Sequence, residues 1–231
     1  MFYFYDWTYI LVLIGMGICL LAQARVKTTY SKYSRVRSVS GLTGARAADQ
    51  ILYNAGIRGV RIEHIEGQLT DNYDPRTRVL HLSDSTFNST SVAAIGVAAH
   101  ECGHAIQHDQ NYAPLTLRSA FVPVAQFGQT IAWPLIIIGL LFSSKSSSIF
   151  LTAGIIAFLA AVVLQLITLP VEFNASGRAI RILRDSGMMN QEELRDTKRV
   201  LSAAALTYVA AAAASILSLL RIILLSNRRG N

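Results

Sequence analysis

Four apolar stretches, each close to the roughly 20 residues needed to cross a bilayer, constrain this chain more than any other feature. They cover residues 7–22, 121–142, 150–169 and 203–220, the last running on past Arg221 to Leu225. Of the 231 residues, 52% are hydrophobic and only 15% charged, where average soluble domains carry about a quarter. The chain therefore reads as a membrane protein. A polar stretch of roughly 95 residues separates the first apolar segment from the second, enough for one small domain. The first segment has no basic residue ahead of it and no small-residue cleavage site behind it, and is expected as a retained anchor. Cys19 lies inside that segment, so it and Cys102 form no disulfide framework. The formal charge of +7 gathers at the ends of apolar spans, where the positive-inside rule places it, and is not read as a nucleic-acid surface.

The polar stretch alternates helical and extended patterns. Residues 44–54 carry apolar side chains at helical spacing and stop at Asn54-Ala55-Gly56. Val60 to Ile65 and Val79 to Leu82 read as strands, with Asp71 to Pro75 as a turn between them. From Ser91 the helical period returns. Beyond the second and third spans, joined by the polar tip Ser143–Ser148, the chain re-emerges at Pro170. A basic amphipathic stretch then stops near Gly187, and Asn190 and Glu193 are spaced as a capping box.

The second periodic segment contains His100-Glu101-Cys102-Gly103-His104. Residues four apart share a helix face, so both imidazoles can address one zinc ion, with Glu101 one step round as a general base. Cys102 points about 200° from His100 and is expected in the core. A catalytic zinc takes three protein ligands and keeps one position open. A third histidine shortly downstream is closed off, because Gln107 and Gln110 occupy the positions it would need. Glu172 is the best-placed distant carboxylate. The residues alone leave two roles for it: third ligand, or an acid compensating a helix dipole. Two spans separate His104 from Glu172, and an even number returns the chain to its starting side, so a shared site is permitted.

At this point the sequence resembles the YugP-type family of membrane zinc metallopeptidases. The likeness runs through Thr43-Gly44-Ala45, Leu69 to Pro75, Leu80-His81-Leu82-Ser83, Ser91 to Ala94, Val97 to His108 and Leu169 to Phe173. More distantly the chain is similar to the HtpX-like membrane gluzincins. The resemblance implies that His100, His104 and Glu172 hold one zinc ion per chain and that Glu101 is the base. Where these families lead one to expect aspartate, two and four residues after the glutamate, this chain has Asn174 and Ser176.

His108 extends the histidine face by a turn, and Arg178 follows Glu172. Both are candidates for stabilising a transition state, beside the plainer roles of helix-surface histidine and headgroup-facing arginine. Leu80, His81 and Leu82 are candidates for an edge strand that pairs with an extended substrate. The expected architecture is a mainly α membrane protein of about four transmembrane helices, with a small α+β zincin-like domain carrying the histidine helix. Its parts are an N-terminal anchor (1–23), the zincin-like domain (24–118), a transmembrane hairpin (119–170), third-ligand and amphipathic helices (171–202), and a C-terminal span with a basic tail (203–231). Asp6 before the first span, and Arg25, Lys27, Lys32, Arg35 and Arg37 after it, put the N-terminus outside and the domain in the cytoplasm. Arg228 and Arg229 then end up outside, against the rule. The expected function is a multi-pass, bacterial cell-membrane zinc metalloendopeptidase acting on membrane-associated protein or peptide substrates. The alternative is a catalytically silent scaffold for partner membrane proteins with a structural zinc. A metal transporter is disfavoured, because the spans carry almost no ionisable residue.

Overall fold

The structure, a computed structural model, describes residues 6–141 and 147–230. The middle of the serine tip, residues 143–146 with Lys145, lies outside the described residues. In chain order the elements are α1 (Tyr9–Tyr33), α2 (Gly44–Asn54), β1 (Arg61–Ile65), β2 (Asn72–Asp74), β3 (Val79–Ser83), α3 (Val92–Asp109), α4 (Ala113–Leu141), α5 (Ser147–Asp185) and α6 (Gln191–Gly230). Four of these helices, α1, α4, α5 and α6, are long and apolar enough to cross a membrane. The remainder includes one small three-stranded sheet.

The chain divides into two compact units. The first takes residues up to Gln23, Leu117–Leu169 and Thr207 onward. Its helices close on one another through glycines. An added Cβ on Gly128 would lie 2.7 Å from the Ala157 carbonyl, and one on Gly139 would lie 2.7 Å from the Leu151 backbone. Small residues allow such backbone approach where lipid supplies no hydrophobic drive between helices. Large apolar side chains such as Leu21, Phe127 and Ile156 stay on the outside, as a lipid-facing surface requires. Arg221, the cation within the last apolar run, meets Asp6 at 3.7 Å and stacks on the Tyr9 ring. Both charges are largely covered, and a charge at such depth needs a partner.

The second unit comprises Ala24–Thr116 and Pro170–Leu206. Its core joins Ala48, Ile51, Leu80, Leu82, Ile95, Cys102 and Leu183, among others. Cys102 is fully buried there, its thiol on the Ala48 carbonyl at 3.6 Å. Helix α2 starts at Thr43, whose hydroxyl accepts from Arg46 N, and stops before Gly56, whose φ of +74° suits glycine.

The sheet order is β1-β3-β2, with β1 parallel and β2 antiparallel to β3. Two expectations change here. Asn72 to Asp74, read as part of a turn, pair with His81 to Val79 as a short strand. Leu80, His81 and Leu82, read as an edge, lie in the central strand, because β2 occupies the side left free by β1. The edges are β1 and β2. His81 Nδ1 is enclosed and, among the described residues, has no hydrogen-bond partner, so that histidine is not a freely solvated strand residue.

The long helices also run further than the hydropathy pattern indicates. Helix α5 continues through Pro170 to Asp185 as 39 residues. At 1.5 Å per residue it is about 58 Å long, roughly twice a hydrocarbon core. Glu172 is therefore well inside a helix, which removes the dipole-compensating role at an N-terminus. Helix α6 likewise runs unbroken for 40 residues. Asn190 caps it, accepting from Glu193 N, while the Glu193 carboxylate accepts from Asn190 N and, at 2.7 Å, from Val39 N.

Candidate metal centre

Helix α3 begins at Ser91, which has extended backbone and a hydroxyl accepting from Ala94 N at 3.1 Å. Its first half is largely buried: Val92, Ala93, Ala94, Ile95, Ala98 and Ala99 are all fully covered. This packing fixes the rotation of the helix and so the direction in which His100 and His104 project. Gly103, between them, allows α5 to approach. A Cβ there would stand 2.7 Å from the Ala175 carbonyl oxygen, closer than real side-chain carbons come, and a tight 3.2 Å from its Cα. That contact brings Glu172, one turn before Ala175, onto the histidine face.

Three donor atoms converge there. His100 Nε2 and His104 Nε2 are 3.2 Å apart, and Glu172 Oε2 lies 3.3 Å from the first and 3.6 Å from the second. Zinc–nitrogen and zinc–oxygen bonds of about 2.0–2.2 Å in a tetrahedron give ligand–ligand edges of about 3.3–3.6 Å. The triangle thus has the dimensions of one face of a zinc tetrahedron, and its two imidazoles and carboxylate form a donor set of catalytic zinc sites. The side chains are 14%, 11% and 3% exposed in the order His100, His104, Glu172.

The other ring nitrogens are held. Gln107, fully buried, donates through Nε2 to the Val171 carbonyl and to Asn174 Oδ1, each at 2.9 Å. Its Oε1 is left to face His104 Nδ1 at 3.0 Å. An oxygen can only accept, so the proton sits on Nδ1 and the Nε2 lone pair points into the cluster. Ser176 Oγ stands 3.2 Å from His100 Nδ1. Asn174 Oδ1 also accepts from Arg178 Nε at 2.7 Å. The two positions that depart from the expected aspartates therefore still make hydrogen bonds around the cluster, without a second charge.

Glu101 is buried, and burial raises its carboxyl above the usual range, against the lowering influence of His100 and His104. Burial works to lower the His104 imidazole, but the nearby Glu172 and Glu101 carboxylates outweigh it, so its pKa is raised. Two carboxylates beside two imidazoles make a setting that favours a cation.

Of the other predicted residues, His108 hydrogen-bonds through Nδ1 to the Tyr73 hydroxyl of β2 at 2.9 Å. Arg178 is spanned between Asn174, Gln110 Oε1 at 2.6 Å and the ring of Tyr112. Neither is among the donor atoms of the triangle. Leu80 and Leu82 belong to the core. Sequence reasoning passed over Gln107 and Gly103. The signal for Gln107 was its place three residues after His104, on the same helix face.

The family described as "Putative neutral zinc metallopeptidase" matches residues 8–227. A curated relative, "Putative membrane protease YugP" of Bacillus subtilis (strain 168), is 45% identical over 215 residues, covering 93% of this chain and 94% of the relative. No solved structure matches.

Proposed function

Since the chain belongs to the "Putative neutral zinc metallopeptidase" family, we propose that it is a membrane-embedded zinc endopeptidase that binds its metal through His100 Nε2, His104 Nε2 and Glu172 Oε2. The observation that carries this reading is the donor triangle of 3.2, 3.3 and 3.6 Å. When bound, zinc supplies Lewis-acid chemistry, polarising a carbonyl and acidifying water. The protein's own residues do the rest. Glu101 takes a proton from the attacking water on a carboxylate oxygen and returns it to the leaving amine nitrogen. Gln107 and Ser176 hold the imidazoles in orientation. His108, hydrogen-bonded to the Tyr73 hydroxyl, and Arg178 are the candidates for stabilising a developing oxyanion. An extended peptide binds by pairing with the outer edge of β2, the antiparallel edge strand whose Tyr73 reaches α3.

The zincin-like unit faces the cytoplasm in this reading, and the substrate is a protein or peptide at the membrane. Purified wild type and Glu101→Gln are compared on an unstructured protein substrate, with zinc measured in both. The variant is expected to keep its zinc and to lose about 10²–10⁴-fold in turnover. Equal turnover would remove Glu101 from the mechanism. Full zinc with no turnover in the wild type, on soluble or membrane-tethered substrates, would favour the silent scaffold.

A further inference from the structure

Away from the metal cluster, the second unit has a groove of about 860 Å³ between the C-terminal part of α1 and the N-terminal part of α6. It is lined by five cations: Arg25 and Lys32 from α1, and Arg195, Lys198 and Arg199 from α6. Thr28, Thr29 and Ser202 place hydroxyls among them. Residues 25, 28, 29 and 32, and again 195, 198, 199 and 202, follow the i, i+3, i+4, i+7 spacing of a single helix face. Two stripes of like composition are thus turned towards each other.

The groove is built on a fixed floor. Tyr30, Tyr33, Ala93 and Val200 form a small buried cluster. Arg199 donates to the Tyr33 hydroxyl at 3.1 Å and to Asp196 at 2.8 Å. Among the described residues, no carboxylate lines the groove, and Arg25, Lys32, Arg195 and Lys198 have no ion-pair partner. Facing cations at this density repel unless an anion lies between them. Three of the five, Arg25, Arg195 and Arg199, are arginines, whose planar donor fork suits phosphate oxygens.

The helices identify the source of that anion. Going towards the N-terminus from Arg25, α1 becomes the apolar run 7–22; going forward from Ser202, α6 becomes the apolar run 203–220. Both helices are candidate membrane spans. The cations stand directly beside the start of the apolar run in α6 and the end of the apolar run in α1, where charge gives way to bilayer-length apolar sequence, and that is headgroup depth. Ala203 and Leu206 continue the lining on the apolar side. We propose that this groove binds the phosphate of an anionic phospholipid headgroup, a site separate from the metal cluster and sharing no residue with it.

The test uses the full chain, purified in detergent and stripped of lipid. It is titrated with dihexanoyl-phosphatidylglycerol, dihexanoyl-phosphatidylcholine and inorganic phosphate. The wild type is expected to bind the glycerol lipid at least about tenfold more tightly than the choline lipid. Arg195→Gln/Lys198→Gln should bring the two lipids to parity, while Arg181→Gln/Arg184→Gln on α5 should leave the preference intact. If the α6 pair melts early or loses zinc, Arg25→Gln/Lys32→Gln tests the same groove from the α1 side. Equal binding of the two lipids by the wild type, or a preference that survives in a folded groove variant, overturns the proposal. Inorganic phosphate binding as tightly as the glycerol lipid would make this a free-anion site and would overturn it too.

Discussion

Gln107 shows how one neutral side chain can set the chemistry of a charged cluster. Its amide nitrogen is committed to Val171 O and Asn174 Oδ1, so its oxygen must receive the His104 Nδ1 proton. Gln107→Met, close to isosteric, removes that acceptor. Zinc affinity is expected to fall about 10–100-fold, as for other partners of metal-bound histidines, measured by competition with a chromophoric chelator. An unchanged affinity would show that packing alone orients His104. At this scale the sequence was most legible where the chemistry itself dictates spacing: His100 and His104 must be four apart on a helix to share an ion. Glu172 was legible only as a candidate, because which distant carboxylate reaches the histidines depends on how α5 packs. Gln107 looked like an ordinary polar residue, since its role appears only once Val171 and Asn174 are seen opposite it.

Among the elements, the crossing of α3 and α5 decides whether the ligands meet. Gly103 lies against the Ala175 backbone, so Gly103→Ala must separate the two helices. The expected result is a zinc affinity reduced by at least about tenfold with all three ligands intact. Helical content by circular dichroism should barely change. Wild-type affinity in this variant would show that the helix contact is not what sets Glu172. The capped helices α2 and α3 were readable from Thr43 and Ser91, because a cap is a local interaction. Strand β2 was not, because Asn72 and Asp74 are turn-forming types, and only pairing with β3 makes the segment extended. The continuity of α5 through Pro170 was missed for a similar reason. A proline removes one hydrogen bond and favours a break, yet α5 runs on through Pro170, with Thr168 and Val171 buried to either side of it.

For the whole molecule, four bilayer-length helices were evident from the apolar runs along the sequence, whereas the side on which the polar unit faces rests on the distribution of basic residues. Arg76 is exposed in the turn between β2 and β3, and Arg76→Cys provides a reporter there. A membrane-impermeant maleimide should label it only after the cells are permeabilised. Labelling in intact cells would invert the orientation. The central claim, that this chain builds a three-ligand zinc site from two distant segments, is tested most directly by zinc per chain. It is measured in detergent-purified wild type and Glu172→Ala, prepared without chelator at matched purity. Close to one zinc per wild-type chain, lost or sharply weakened in the variant, is the expected result. Zinc retained at full affinity without Glu172, or absent from the wild type, would contradict it.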